Sequence, residues 1–381
     1  MNLGFDEDQE LLRSTNRRFL EERHPITALR PQLEADSNFD RAIWREGAEL
    51  GWGAMLIPEA FDGGSVTAQP LVDLVAIAEE LGRVLYPGPF LETNVVADAI
   101  ATAADENQCK AWLGPIARGE CLATLCLTED GSPDLRSIGI EAVTDGDNLR
   151  LDGVARFVAQ AHETDLLLVA CNTPGGGPAL VLVPTSSEGV SLRVSTGIDL
   201  TRRVCEVSFR SVVVPAANVL GEPADVEGRL TRIFQLTTVL QAAQSVGASE
   251  QLFQMTLQHV KDRVQFGRTI GSFQAIKHRM ADLWAELEGA RAATWYAALA
   301  VADGQPDLDE AVAVAGSFVR ENAAFLAGES LQLHGGVGFT WEYDVHLYLR
   351  RAQADKLLYG DPSWHREKLC QAVEIVAEGE A

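Results

Sequence analysis

CLATLCL (121–127), LRLDG (149–153), DLLLVAC (165–171), PALVLVP (178–184), VSLRV (190–194) and VCEVSF (204–209) fall within one stretch, residues 121–220. Each is a short, β-branched or leucine-rich run. Between them stand the turn signals Asp145-Gly146, PGGGP (174–178) and SSEG (186–189). Runs of that length split by Gly and Asp-Gly turns predict an antiparallel β domain. Strands and helices do not alternate here, so a doubly wound nucleotide fold is not indicated.

On both sides the apolar period changes to that of helices. Upstream, Phe5, Leu11, Leu12, Phe19 and Leu20 recur at near-helical spacing behind Asp6 and Asp8, followed by a second pattern from Phe39 to Leu50. LVDLVAIAEELGRVL (71–85) predicts a further helix ending at Gly82, ahead of Pro87, Gly88 and Pro89; 95–104 and 106–116 give two more. Downstream, long patterns run over 233–264, 275–302, 308–332 and 343–358, and another follows Pro362. Long helices with short joints predict an antiparallel bundle of four. The expected fold is α+β in three parts: a helical domain over 1–118, a β domain over 119–222 and a C-terminal bundle over 223–381.

The chain of 381 residues has 46% hydrophobic and 23% charged residues, a balance suited to globular domains. Its 31 Lys and Arg against 55 Asp and Glu leave a net charge of −24. Such a surface repels phosphate backbones and anionic lipid, which argues against nucleic-acid and membrane-surface roles. No apolar run reaches the length of a spanning helix, and the acidic, amphipathic start is unlike a signal peptide. The six cysteines contain no CxxC and read as buried thiols of a reducing cytoplasm. The seven histidines form no metal motif, and His334, His346 and His365 read as packing or surface residues. Trp341 and Tyr343 read as interface or core aromatics.

Particular stretches carry a resemblance to a known family. They are ELGWGAMLIPEAFDGG (49–64), AEELGRVLYPGPF (78–90), LCLTED (125–130), VVVPAANVLG (212–221), RVQFGRTIGSFQAIKHRMADL (263–283) and LQLHGGVGFTWEYDVHLYLRRA (331–352). In that order, within a helix–β–helix chain, they resemble the acyl-CoA dehydrogenase superfamily over nearly the whole length. The resemblance implies a FAD flavoprotein that removes an α-proton from an acyl-CoA thioester while the β-hydride passes to flavin N5. It also implies an electron-transferring flavoprotein as oxidant and a tetramer with each FAD at a subunit interface. There one subunit's β domain grips the flavin ring, and a neighbour's bundle holds the pyrophosphate and adenine.

The neighbour-facing half of that site matches the family. Arg263 offers a forked guanidinium to pyrophosphate. Phe266 and Gly267 complete RxxFG, Gln274 stands in the FQ pair, and Gln332, Gly335 and Gly336 match QxxGG, whose glycines let backbone N–H groups approach the cofactor. The ring half departs from the pattern. Leu127 and Thr128 remain as ring-edge partners, but PGAGSD after TE is replaced by Asp130-Gly131-Ser132-Pro133-Asp134. In GVARFVAQ (153–160), Phe157 stands at the family's Trp and Ala159 at its Thr. YEGTSE becomes Tyr359-Gly360-Asp361-Pro362-Ser363-Trp364, so Pro362, without hydroxyl or N–H, replaces a flavin-contacting Thr.

The chemistry needs a desolvated carboxylate beside the α-carbon and donors for the thioester oxygen. Aligned without gaps, the family's base position is Gly360, and the alternative position on the long bundle helix is Thr237. Asp361 is the nearest carboxylate. It reads either as the base, with the Gly360 N–H polarising the thioester, or as the N-cap of a helix with Pro362 at N1. Three functions stay open: an acyl-CoA dehydrogenase catalytic in its own right; a non-catalytic subunit of a heterotetramer, lending the adenine and pyrophosphate half to a partner's FAD; and a flavin-dependent monooxygenase. Some family members that shorten steroid side chains have the second arrangement, and by analogy the eroded positions favour a bulky polycyclic acyl group.

Overall fold

A computed structural model describes residues 5–33, 35, 37–173, 177–222 and 225–374. Pro174, Gly175 and Gly176 of the PGGGP turn lie outside the described residues. The first part is α1 (Glu7–Arg23), a short α2 (Ile26–Leu29), α3 (Arg41–Ala48), α4 (Pro70–Arg83), α5 (Phe90–Ala103) and α6 (Glu106–Ala117). Capping boxes start α1 and α6: Asp6 accepts from Gln9 N–H and Asp105 from Gln108 N–H, each Gln side chain returning the bond.

The strands are β1 (Ala123–Cys126), β2 (Ile140–Asp145), β3 (Asn148–Ala159), β4 (Leu166–Thr173), β5 (Gly177–Pro184), β6 (Val190–Ser195) and β7 (Val204–Pro215). They form one seven-stranded sheet in the order β1-β4-β2-β3-β7-β6, with β5 on β4. The expected all-antiparallel domain is corrected here. β1 runs parallel to β4 over Ala123–Cys126, and β2 touches β4 in parallel at Glu141 and Asn172, so the sheet is mixed. Hairpins such as β2–β3, turning at Asp145–Asn148, announce themselves through Asp-Gly. The β1–β4 pairing is made across a connection that contains other strands, and no local signal marks it.

β4 explains why its sequence is apolar without alternation. Leu166, Leu168 and Ala170 join the core shared with the helices, while Leu167, Val169 and Cys171 join a second core on the opposite face. All six cysteines are unpaired, and five are buried.

The last part is α7 (Val226–Asp262), a hairpin of β8 (Val264–Gln265) and β9 (Arg268–Thr269), α8 (Gln274–Asp303), α9 (Leu308–His334), α10 (Val345–Asp355) and α11 (Pro362–Ala372). α4 crosses α7 at glycines. A Cβ on Gly82 would lie 2.0 Å from the Gln244 carbonyl oxygen, and one on Gly247 would lie 1.8 Å from that of Glu79. α4 ends at Arg83, one residue past the expected stop at Gly82, and Gly82 also lets two backbones touch. Around this crossing Arg13, Arg83 and Arg291 pair with the Glu79, Glu80 and Glu250 carboxylates, and Trp295 donates to Glu79 at 3.0 Å. No helix among the described residues is long and apolar enough to cross a membrane.

Candidate functional site

Two segments meet at one end of the bundle. α7 ends with Arg263 as C-cap, its N–H donating to the His259 carbonyl at 2.9 Å. β8 and β9 then pair around a two-residue turn in which Phe266 (φ 55°) and Gly267 (φ 80°) are both left-handed, the geometry of a type I′ hairpin. Phe266 is thereby held at the tip, 91% exposed. α9 ends beside it: the rings of His259 and His334 stack with centroids 4.3 Å apart. Burial keeps both imidazoles below the usual histidine range, so the stacked pair carries no charge at neutral pH. Gln332 is exposed on the last turn of α9, and Gly335 (φ 62°) and Gly336 follow; Gln274 opens α8, also exposed. A Cβ added to Gly267, Gly335 or Gly336 would meet nothing within 4 Å. This open cradle, with a forked cation and an upright aromatic, suits the pyrophosphate and adenine of a dinucleotide.

The ring-side residues are arranged differently. Leu127 and Thr128 are buried just beyond β1, and the Thr128 hydroxyl already donates to the Ser132 carbonyl at 2.7 Å. Phe157 sits in a register break of β3 with φ 57°, and the space above Gly131 is filled by its ring, 2.7 Å from where a Cβ would stand. Between Phe157, Ile198, Val204 and Leu357 lies a cavity of about 290 Å³, with Arg202 on its wall. That guanidinium pairs with buried Asp355, and neighbouring Arg351 donates to Asp199 Oδ2 and Thr201 Oγ1 at 2.6 Å each. Burial alone would raise the Asp199 pKa; the positive charge of Arg351 and then Arg202 holds it below the usual carboxylate range. With Thr128 engaged, Ala159 without hydroxyl and Pro362 buried at the first turn of α11, none of these three side chains donates to a flavin edge. The residues of the nucleotide half stand open to a cofactor, whereas on the ring side these three side chains offer no donor.

The position expected to bear the base is closed. Tyr359 (φ 62°) is buried and donates to Glu92 Oε1 at 2.9 Å, and burial raises the Glu92 pKa. At buried Gly360 (φ 102°) a Cβ would lie 2.8 Å from Trp364 Cε3 and 3.2 Å from His365 Nε2. Asp361 is exposed and caps α11, accepting the Trp364 N–H at 2.7 Å. Thr237, the alternative base position, is buried and donates to the Ile233 carbonyl at 2.6 Å. His365, His334 and His346 are all buried. Among the described residues no cluster could hold a metal ion.

The family model described as acyl-CoA dehydrogenase, N-terminal domain, matches residues 6–120, and that for the C-terminal domain matches 229–373. Acyl-CoA dehydrogenase IpdE2 of Mycolicibacterium smegmatis is 30% identical over 364 residues, which cover 95% of this chain and 97% of that protein. The solved Tcur3481-Tcur3483 steroid ACAD is 28% identical with a TM-score of 0.86, covering 98% of this chain and 99% of that one. The ChsE4-ChsE5 complex from Mycobacterium tuberculosis is 25% identical with a TM-score of 0.88, covering 99% and 100%.

Proposed function

The chain belongs to the acyl-CoA dehydrogenase family, oxidoreductases acting on CH–CH bonds, and from that premise we propose that it is the nucleotide-gripping subunit of an assembly with an unlike, catalytic acyl-CoA dehydrogenase-like chain. The observation that carries this reading is the contrast between its two FAD half-sites. Arg263, Phe266, Gly335 and Gly336 stand open to a partner, while at Gly360 the nearest described atoms belong to Trp364, His365 and Pro133 and the adjoining Asp361 carboxylate caps α11.

FAD, when bound, accepts the substrate's β-hydride. This chain's residues serve that chemistry from the far end of the cofactor. Arg263 neutralises pyrophosphate, Phe266 packs on the nucleotide, and the N–H groups around Gly335 and Gly336 hydrogen-bond it. The partner supplies the ring seat, the thioester donors and the base, and an electron-transferring flavoprotein reoxidises the assembly. Similarity to the Tcur3481-Tcur3483 steroid ACAD and to the ChsE4-ChsE5 complex supports a paired assembly and a polycyclic acyl group on the substrate.

The test is native mass spectrometry of the complex purified from its own cells. This account expects two kinds of acyl-CoA dehydrogenase-like chain and one FAD per unlike pair. A homotetramer with one FAD per chain would refute it.

A further inference from the structure

α7 and α9 both end at the nucleotide cradle, and each carries a histidine in its last turn. His259 stands one turn before Arg263, and His334 directly precedes Gly335. The two imidazoles stack with centroids 4.3 Å apart and planes 25° from parallel, and Tyr343 meets His334 edge-on at 5.9 Å. His334 is buried, and its Nδ1 donates to the Ser330 carbonyl at 2.8 Å, which fixes that ring. His259 is half-buried and its ring makes no hydrogen bond among the described residues, so solvent protons reach it.

This place is short of positive charge for an anion. A helix C-terminus carries the equivalent of about half a negative charge, and here two converge. Arg263, at the C-cap of α7, is the cation set against a pyrophosphate. Arg268 on the hairpin is turned to Phe273, its guanidinium 3.9 Å from the ring centroid. Lys261 shares the last turn of α7 but is exposed to solvent. A proton on that turn answers both the helix ends and the phosphates.

The charges that bear on His259 lie on α7 and α9. Burial, then the charge of His334, then that of Arg263 hold it below the usual histidine range, and Asp262 pulls the other way. Burial lowers His334 against its bond to Ser330. Among the described residues the β8–β9 hairpin, α8 and the Tyr343 segment bring no charge to either ring. His334, the more deeply buried, stays neutral, and His259 is left as the group that an added anion can charge.

We propose that His259 is a further cofactor-gripping residue, which takes up a solvent proton as the pyrophosphate is seated and stacks its charged ring on the neutral imidazole of His334. The inference rests on the reading that Arg263 and the Gly335 turn hold a dinucleotide. A cation over a neutral aromatic ring is favourable, and the helix ends favour it too. Linkage is reciprocal: an anion that draws in a proton is bound more tightly by that proton. Affinity therefore rises as pH falls through the histidine range, and the proton returns to solvent when the cofactor leaves.

The test titrates FAD by calorimetry into the flavin-stripped complex of both chains, near the histidine midpoint and in two buffers of different ionisation enthalpy. The difference between buffers should report uptake of about half a proton per FAD, and affinity should rise about threefold or more from about pH 7.5 to about pH 6. His259→Phe keeps a ring on the stack but cannot be charged, so uptake should vanish and affinity should stop changing with pH. His259→Gln, smaller and polar at a half-exposed place, repeats the measurement if the Phe variant fails to fold. A purely structural stack would leave His259→Phe like wild type. That result overturns the proposal, as does wild-type binding without proton uptake. Failure of the functional reading looks different: FAD would sit in every chain of a homomer, where the uptake can still be measured.

Discussion

Asp361 accepts the backbone N–H of Trp364 at 2.7 Å and thereby spends its carboxylate on starting α11. The side chain is exposed, one residue past Gly360, and Pro362 fixes the first helical turn behind it. An N-cap satisfies a backbone donor that the helix leaves unpaired. Asp361→Ala should therefore lower stability by about 1 kcal/mol, while Asp361→Asn, also a good cap, should be near neutral. Neither should change turnover of the assembled enzyme. Urea denaturation and steady-state rates on both variants check this, and a large rate loss in Asp361→Asn would restore Asp361 as base.

Gly247→Ala should be among the most damaging small substitutions in the chain. Its new methyl would lie 1.8 Å from the Glu79 carbonyl oxygen, and backbone cannot move aside as a side-chain end can. Separating α4 from α7 would also disturb the Arg13, Arg291 and Glu79 ion pairs, so a loss of about 3 kcal/mol or more is expected. Thermal and urea unfolding of the variant measure it.

Acid should destabilise the fold through its buried histidines. Burial pushes His24 down to about 4, against a weaker pull from Asp40, and His365 to about 2. An unfolded histidine titrates near 6.5. Below that pH and above the folded values, the unfolded chain holds a proton that the native chain does not, so stability falls as pH falls. Each such group contributes a slope of about 1.4 kcal/mol per pH unit. The His24 contribution to that slope is spent near pH 4, and His365 continues below it. Glu92 and Glu79, whose pKa values are raised, act in the opposite sense. The difference between wild type and His365→Gln isolates the histidine: the variant should lose about one such slope between pH 6 and 4, read by urea denaturation at each pH.

Gly336→Val separates cofactor binding from folding. Nothing lies within 4 Å of the added Cβ, and the residue is not in the left-handed region, so the chain should fold with unchanged stability. The new side chain would stand where backbone N–H groups approach the nucleotide. FAD retention by the assembled complex should fall about tenfold or more, read by flavin absorbance after gel filtration, while circular dichroism stays the same.

The helical parts were legible because their signals are local. Asp6 and Asp105 with Gln three residues on, and leucines at helical spacing, mark helices wherever they pack. Gly82 marks the end of α4 to within one residue, but the close contact it makes possible lies on α7, more than 160 residues away, and has no local signal. The β1–β4 parallel pair escaped notice likewise, because its register is set by packing on both faces of β4. The departures from the family pattern at Phe157, Ala159, Gly360 and Pro362 could be read one residue at a time.

The central claim is that this chain grips a dinucleotide for another subunit and cannot reduce flavin unaided. Its most direct test is to express the chain alone, count flavin per chain by absorbance near 450 nm, and add an acyl-CoA without oxygen. Flavin far below one per chain, and no bleaching, is the predicted result. One tightly held FAD per chain that bleaches on adding the thioester would contradict it.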